Sequence, residues 1–174
     1  MNSTNKSKAL RYTVIDTSIG ALGVVVSDIG IVRIEFKCPP VKKFERAIAD
    51  RFGETAMHRP DDPLLKRARA QLTEYLDGKR RSFDLKLDLR VTGFRRRVLD
   101  EVARIPYGEV ATYGEVARKV GNPKAARAVG GAVGANPIGL IIPCHRVVAA
   151  GGKLGGFGGG LALKKKLLKL ETEV

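Results

Sequence analysis

The sequence predicts an α+β fold in two parts, a small N-terminal antiparallel sheet with helices and a mainly helical C-terminal domain that contains a helix-turn-helix. Three observations support this prediction. Near the N-terminus, short runs rich in β-branched residues alternate with turn segments, as strands do. Past Pro40 the apolar residues recur at helical spacing. Beyond residue 93 the pattern changes to short helices separated by glycine-containing turns.

Three strands are predicted first, at residues 12–15, 22–26 and 31–36. Turn-forming residues at 18–20 and 27–30 separate them. Because connections this short join neighbouring strands, we expect an antiparallel meander.

Two helices are predicted next. Apolar residues at helical spacing indicate the first over residues 41–52, with Gly53 placed to end it. The second begins with Asp62 as its N-cap and Pro63 at the first helical position, and it ends before Gly78.

A returning strand is predicted at residues 83–87, where apolar and polar side chains alternate. The segment that follows is interpreted as a linker at residues 89–92. The sequence therefore predicts an N-terminal supporting domain over residues 1–88 and a C-terminal domain over residues 93–174.

The C-terminal domain begins with a predicted helix over residues 94–105. Thr112 and Glu115 then fit a capping box, in which each side chain satisfies a helix N–H. A short helix is predicted over residues 113–119.

A second short helix is predicted from Asn122, as N-cap, and Pro123 through residue 133. Two short helices joined by a tight turn form a helix-turn-helix, although many such hairpins bind nothing. The side chains of the second helix are small, which favours close approach to another surface or close packing on a neighbouring helix. After a glycine-rich loop at residues 151–160, a final helix is predicted over residues 161–171.

The composition favours a nucleic-acid partner. The chain has 32 Lys and Arg against 18 Asp and Glu, a formal net charge of +14, and such an excess attracts polyanions. Solubility or heat tolerance is the alternative reason for the charge. The two cysteines cannot form a disulfide framework, and no apolar run has the length of a signal peptide or a membrane span. We therefore expect a soluble cytoplasmic protein, nuclear in a eukaryote, without membrane contact.

A candidate nucleophile, Cys144, lies in the segment Ile142-Pro143-Cys144-His145-Arg146-Val147. A lone cysteine is more often a small buried apolar residue. Here His145 and Arg146 are expected to lower the pKa of the thiol, and the thiolate is the reactive form. Because adjacent side chains of an extended segment point apart, His145 is expected to reach Cys144 through a water.

This segment is similar to the active-site signature of the O6-alkylguanine-DNA alkyltransferase family, the methylated-DNA–protein-cysteine methyltransferases. The resemblance extends over residues 93–171, through motifs at 105–108, 112–117, 121–130 and Asn136-Pro137. The first ninety residues resemble the family only in outline. The resemblance implies a ribonuclease H-like domain beside a winged-helix-like domain. It also implies a repair protein that flips O6-alkylguanine, with O4-alkylthymine as a further substrate, and takes the alkyl group irreversibly in a single turnover.

The resemblance further implies a role for each active-site residue. Cys144 is the acceptor, His145 is the base acting through water, and Glu171 is the carboxylate that orients and charges His145. Asn136 ties the helix-turn-helix to the active-site segment. Tyr113 hydrogen-bonds the guanine and helps the departing base to accept a proton.

Double-stranded DNA, bound through the minor groove, is the implied partner. Arg127 matches the residue that enters the base stack in place of the flipped nucleotide, and a phosphate contact is the alternative for it. The small residues around Arg127 fit a helix that enters the narrow minor groove. The expected DNA-binding residues are Arg127, Lys124, Ala126 and Gly130.

The glycine-rich loop, interpreted by itself as flexible, is implied to form the substrate pocket. Phe157 provides a face of that pocket and Gly158 a backbone N–H near the guanine oxygen, together with Val147 and Val148. Family members often have Tyr and Ser at the positions of Phe157 and Gly158, so a hydroxyl contact is missing. Gly139 replaces a proline of some members, which enlarges or loosens the pocket.

No cofactor or metal is expected, because the side chains of Cys38, His58, Cys144 and His145 lack zinc-site spacing. Three alternative functions remain. A non-catalytic protein that recognises alkylguanine would lack Cys144. A helix-turn-helix regulator would have longer polar side chains on its second helix. A thiol hydrolase would turn over. A monomer is expected.

Overall fold

The described part of the chain, residues 10–173 of a computed structural model, confirms the α+β fold. The predictions made for residues 1–8 lie outside the described residues. Strands β1 (Leu10–Thr17), β2 (Gly20–Val26) and β3 (Ile31–Phe36) form the expected antiparallel meander.

A short fourth strand, β4 (Ala56–His58), pairs parallel with β1 and completes a sheet of order β3-β2-β1-β4. The sequence did not predict β4, because three residues are too few to show an alternating pattern.

Helices α1 (Val41–Phe52) and α2 (Pro63–Leu76) have the predicted ends. Gly53 ends α1 in the left-handed conformation, at φ 67°. The Asp62 carboxylate accepts the N–H groups of the first turn of α2, at 2.9 and 3.2 Å. Phe44 and Ile48 of α1 pack in one apolar cluster with the sheet, whereas the buried residues of α2 belong to the larger cluster that continues into the C-terminal half.

The strand predicted at residues 83–87 is wrong. Only Leu87 forms a bridge, with Ile31. The side chain of Gln71 on α2 accepts the N–H of Asp84 at 2.9 Å and donates to its carbonyl at 3.3 Å. Because these backbone groups are bound to a side chain, they are not available for strand pairing.

The C-terminal half consists of four helices, two short strands and two 3₁₀ turns. The helices are α3 (Gly93–Val102), α4 (Tyr113–Lys119), α5 (Ala126–Gly134) and α6 (Leu161–Thr172), the strands are β5 (Ala111–Thr112) and β6 (Val147–Val148), and the turns are Cys144–Arg146 and Ala150–Gly152. The capping box is confirmed: the N–H of Glu115 donates to Thr112 Oγ1 at 3.1 Å, and the N–H of Thr112 donates to the Glu115 carboxylate at 2.6 Å.

The predicted start of α5 at Asn122 and Pro123 is wrong, because the helix begins at Ala126. The N–H of Asn122 donates to the carbonyl of Ala117 at 2.9 Å, so Asn122 closes the end of α4. The N–H of Ala125 donates to the Asn122 carbonyl, also at 2.9 Å, which forms a separate turn before α5.

Strand β3 joins the two halves beside the active-site segment. The N–H of Ile34 donates to the carbonyl of Pro137 at 2.9 Å, and Ile34 forms a bridge with Ile138. Among residues 10–173, no helix combines the length and apolar character that a membrane span requires.

Candidate functional site

Cys144 is buried, with 7% of its surface exposed, at the start of the Cys144–Arg146 turn. Its N–H donates to the carbonyl of Ile142 at 2.8 Å, and the N–H of Arg146 donates to the carbonyl of Pro143 at 2.9 Å. The segment is therefore a 3₁₀ turn, and the expectation of an extended segment is wrong.

Asn136 lies just past the end of α5 and holds this segment. Its side-chain Nδ2 donates to the carbonyl of Ile142 at 2.8 Å, while its Oδ1 accepts the N–H of Ile138 at 3.0 Å. The amide also hydrogen-bonds the Cys144 thiolate, which lowers the pKa of that thiol. One side chain therefore contacts both the backbone and the nucleophile.

The pKa of the Cys144 thiol is set by opposing effects. Burial raises the pKa, while hydrogen bonding from Asn136 and the positive charge of Lys164 lower it, and the raising effect is larger. Arg146, which was also expected to lower this pKa, is not among the main causes of the shift. Its guanidinium contacts Glu171 and donates to the carbonyl of Ile105 at 2.6 Å.

Lys164 is the cation near Cys144, and the sequence did not point to it. The side chain is fully buried on α6, and its Nζ donates to the carbonyls of Val147 at 2.5 Å and Gly156 at 3.3 Å. In the sequence it stands in a run of three lysines on a helix, a pattern typical of a solvated face. Only the fold distinguishes Lys164 from its neighbours.

The Glu171 carboxylate is the centre of a buried hydrogen-bond network. It accepts from Arg146 Nε and Nη2 at 2.9 Å each, from the N–H of Gly108 at 3.1 Å, and from the Tyr75 hydroxyl. His145 Nε2 lies 2.8 Å from it. Burial alone would raise the pKa of Glu171, but the hydrogen bonds from His145, Arg146 and Tyr75 hold it at about 2.

These contacts fix the tautomer of His145. A carboxylate only accepts, so Nε2 carries the proton that is donated to Glu171, and Nδ1 presents a lone pair. Among the described residues, Nδ1 has no hydrogen-bond partner. Burial lowers the pKa of His145 in spite of Glu171, and the charges of Arg146 and Lys164 lower it further. His145 is therefore a neutral imidazole with an available acceptor, whereas the family resemblance implied that Glu171 charges it.

A cavity of about 420 Å³ lies between α5 and the glycine-rich loop. It brings together residues predicted for DNA and for substrate: Tyr113, Ala126, Arg127, Gly130, Phe157 and Gly158. Cys144 does not itself line the cavity, but burial and the negative charge of Cys144 raise the pKa of Tyr113, which does. Lys124 is exposed two residues before α5.

The predicted pocket residues Val147 and Val148 do not line this cavity. Both are buried in β6, where Val147 pairs with Ala111 and Val148 with Thr112. Val148 lines a separate apolar cavity of about 160 Å³ next to α6.

Gly139 makes room for an aromatic side chain of the N-terminal half. A Cβ at Gly139 would lie 2.5 Å from the ring of Phe36, and that ring packs on Phe157 with their centroids 5.5 Å apart. Phe36 therefore occupies the space next to Gly139 and supports one face of the cavity.

Replacing Gly139 by alanine is expected to lower the free energy of unfolding by about 1–3 kcal/mol, because the added methyl group overlaps the Phe36 ring. Chemical denaturation measures the change. Gly131→Ala is the matched control, since its added Cβ meets nothing within 4 Å. Adding Phe36→Leu to Gly139→Ala should recover part of the loss; no recovery would contradict the overlap.

Within residues 10–173, no three His, Cys, Asp or Glu side chains are grouped so as to hold a metal ion. The absence of a structural zinc remains a prediction.

Comparison with known proteins shows two family matches that together cover most of the chain. Residues 10–89 match the ribonuclease-like domain of 6-O-methylguanine DNA methyltransferase, and residues 93–173 match its DNA binding domain. A methylated-DNA–protein-cysteine methyltransferase from Methanosarcina acetivorans is 41% identical over 160 residues, covering 92% of this chain and 97% of the relative. One from Mycobacterium tuberculosis is 52% identical over 112 residues, covering 64% and 68%.

Solved structures agree with these matches. The crystal structure of Mycobacterium tuberculosis OGT in complex with DNA has a TM-score of 0.80 at 39% identity, covering 93% of this chain and 92% of that one. The O6-methylguanine-DNA methyltransferase of Pyrococcus kodakaraensis has a TM-score of 0.64 at 27% identity, covering 93% and 98%.

Proposed function

The chain belongs to the 6-O-methylguanine DNA methyltransferase family, and from this premise we propose that it repairs alkylated DNA by transferring the alkyl group of O6-alkylguanine to Sγ of its own Cys144. The observation that carries the residue assignment is the position of Cys144. The Asn136 amide hydrogen-bonds its thiol and the charge of Lys164 acts on it, and the next residue in the turn, His145, pairs with Glu171 of α6.

The transfer begins with ionisation of the thiol. The proton of Cys144 passes through a water to Nδ1 of His145, the nitrogen without a protein partner among the described residues. The imidazolium that forms is stabilised by Glu171 at 2.8 Å. Asn136 and Lys164 stabilise the thiolate.

The thiolate then attacks the alkyl carbon. The Sγ–C bond forms as the O6–C bond breaks, and its electron pair stays on the guanine. Tyr113, whose hydroxyl faces the glycine-rich loop at 3.4 Å from the Gly156 carbonyl, donates a proton to the departing base and is reprotonated from solvent. Because a thioether is a poor leaving group, each molecule reacts once.

We further propose that α5 contacts the minor groove of double-stranded DNA. Its small residues allow close approach, and exposed Arg127 borders the cavity, where it can replace a flipped nucleotide. Lys124, exposed two residues before α5, is proposed to contact phosphate. The protein is proposed to act as a monomer on the DNA of the cell, in the cytoplasm or, in a eukaryote, in the nucleus. We also propose that residues 89–92 link the N-terminal domain, residues 1–88, to the C-terminal domain, residues 93–174.

Intact mass spectrometry after incubation with duplex DNA containing O6-methylguanine tests the function. We expect one added methyl group, located on Cys144 by peptide mapping, and no more than one repaired base per protein molecule. Repeated turnover would favour a thiol hydrolase, and an unmodified protein bound to the lesion would favour a non-catalytic recognition protein.

Replacing Arg127 by alanine is expected to slow repair of duplex DNA by about tenfold or more while leaving the reaction with free O6-methylguanine base nearly unchanged. The side chain acts on the duplex and not on the base. Single-turnover rates on both substrates measure the effect. Arg46→Ala, at an exposed position of α1, is the control for loss of one positive charge. Equal slowing on both substrates would contradict base flipping by Arg127.

A further inference from the structure

Tyr75 brings a hydroxyl from the N-terminal half into the active site. It lies on α2 and is fully buried. Its ring packs against Phe83 and Tyr107, with centroid distances of 5.1 and 6.1 Å. Because these rings surround it, the phenol has little freedom to turn, and the direction of its hydroxyl is set by packing.

The hydroxyl contacts both His145, the proposed base, and Glu171, its carboxylate partner. It donates its proton to Glu171 Oε1, and its oxygen lies 3.1 Å from His145 Nε2. Since the proton is directed at the carboxylate, the lone pairs of the oxygen face the N–H of the imidazole. Burial and the charge of Glu171 raise the pKa of Tyr75, so the hydroxyl stays protonated.

Four charged or titratable groups besides Tyr75 act on His145. Glu171 stabilises the imidazolium, while Arg146 and Lys164 oppose it. The negative charge of the Cys144 thiolate is stabilised when His145 holds the proton. Arg146 and Lys164 oppose protonation of His145 in a buried site. A further acceptor that faces Nε2 therefore stabilises the protonated imidazole measurably.

We propose that Tyr75 is a positioning residue for the alkyl transfer. Its hydroxyl holds Glu171 against His145, and its oxygen supports the positive charge that His145 acquires when it takes the proton of Cys144. This inference rests on the proposed function and gives the N-terminal half a positioning role in the active site.

Tyr75→Phe removes only the hydroxyl and keeps the ring. We expect the rate of Cys144 alkylation by free O6-methylguanine to fall by about tenfold at neutral pH and to recover as the pH rises. The apparent pKa of the rate profile should move up by about one unit, because a weaker base leaves the thiol harder to ionise. The rates are measured by intact mass from about pH 5 to about pH 10.

Tyr107→Phe is the matched control. Its ring belongs to the same aromatic cluster, but its hydroxyl donates to the carbonyl of Leu170 at 3.4 Å. We expect this variant to keep the wild-type profile. An equal rate loss at every pH in Tyr75→Phe, or an equal shift in both variants, would overturn the proposal and leave Tyr75 a packing role alone.

Iodoacetamide provides a second probe that does not depend on the proposed function. Peptide mapping of the alkylation of Cys144 over the same pH range reports the ionisation of the thiol directly. The same upward shift in Tyr75→Phe is expected, and an unshifted profile would overturn the inference. Failure of the wild-type protein to accept methyl from the guanine would instead reject the proposed function.

Discussion

Replacing Cys144 by serine is expected to abolish alkyl transfer and leave the fold intact. A serine hydroxyl fits the space of the thiol, but it does not ionise at neutral pH, so no thiolate-like nucleophile forms. Intact mass after incubation with O6-methylguanine DNA should show no added methyl group. Thermal unfolding checks that the variant is folded.

The matched control is Cys38→Ser. Cys38 is half-buried beside the sheet, and burial together with the charge of Glu35 raises the pKa of its thiol to about 11. At Cys38 no amide or cation of the described residues offsets these effects as Asn136 and Lys164 do at Cys144, so its replacement should leave the methyl transfer unchanged. A methyl group that still appears on Cys144→Ser, at Cys38 or elsewhere, would contradict the assignment of the acceptor.

Glu171→Gln is expected to lower the free energy of unfolding by about 3–5 kcal/mol, because it leaves the guanidinium of Arg146 buried without a counter-charge. For a chain of this size the midpoint of thermal unfolding should fall by about 10 °C. Alkyl transfer should also slow, since an amide stabilises the imidazolium of His145 less than a carboxylate does. Glu173→Gln, exposed and paired with Lys169 on the same helix end, is the control.

The pH dependence distinguishes loss of this charge from general damage. The folded state lowers the pKa of Glu171 from 4.5 to about 2, so its stabilising contribution is complete above about pH 4.5 and is lost as the pH falls toward 2. The difference in unfolding free energy between the wild type and Glu171→Gln should therefore narrow over that range. A constant difference would mean that the charge of Glu171 contributes nothing.

The periodic parts of the fold were predictable because local patterns determine them. The meander, the Asp62 cap and the capping box at Thr112 all depend on residues close together in the sequence. The wrong predictions concern backbone groups that are used by a competing hydrogen bond. Gln71 takes the backbone groups of the strand expected at residues 83–87, and the N–H of Asn122 is used to end α4.

The motif and the wider resemblance pointed to the candidate nucleophile Cys144 and to Glu171, but not to every contact around them. Arg146, two residues after Cys144, turns to Glu171. Lys164 and Tyr75 stand in ordinary helical patterns, and the fold alone brings them to the site. A buried lysine and a buried hydroxyl are recognised by what surrounds them, which a single sequence does not contain.

The small side chains of α5 suit close approach to DNA, but they lower the stability of the helix. A Cβ at Gly131 or Gly134 meets nothing within 4 Å, and one at Gly130 comes no closer than 3.9 Å to Tyr113. Alanine there would therefore stabilise the helix by up to about 1 kcal/mol per site without a clash. A directed-evolution screen that rewards survival on heating alone would select these substitutions, and each would thicken the surface that we propose to contact the minor groove. Screening for thermal tolerance and for repair together is the way to keep these glycines.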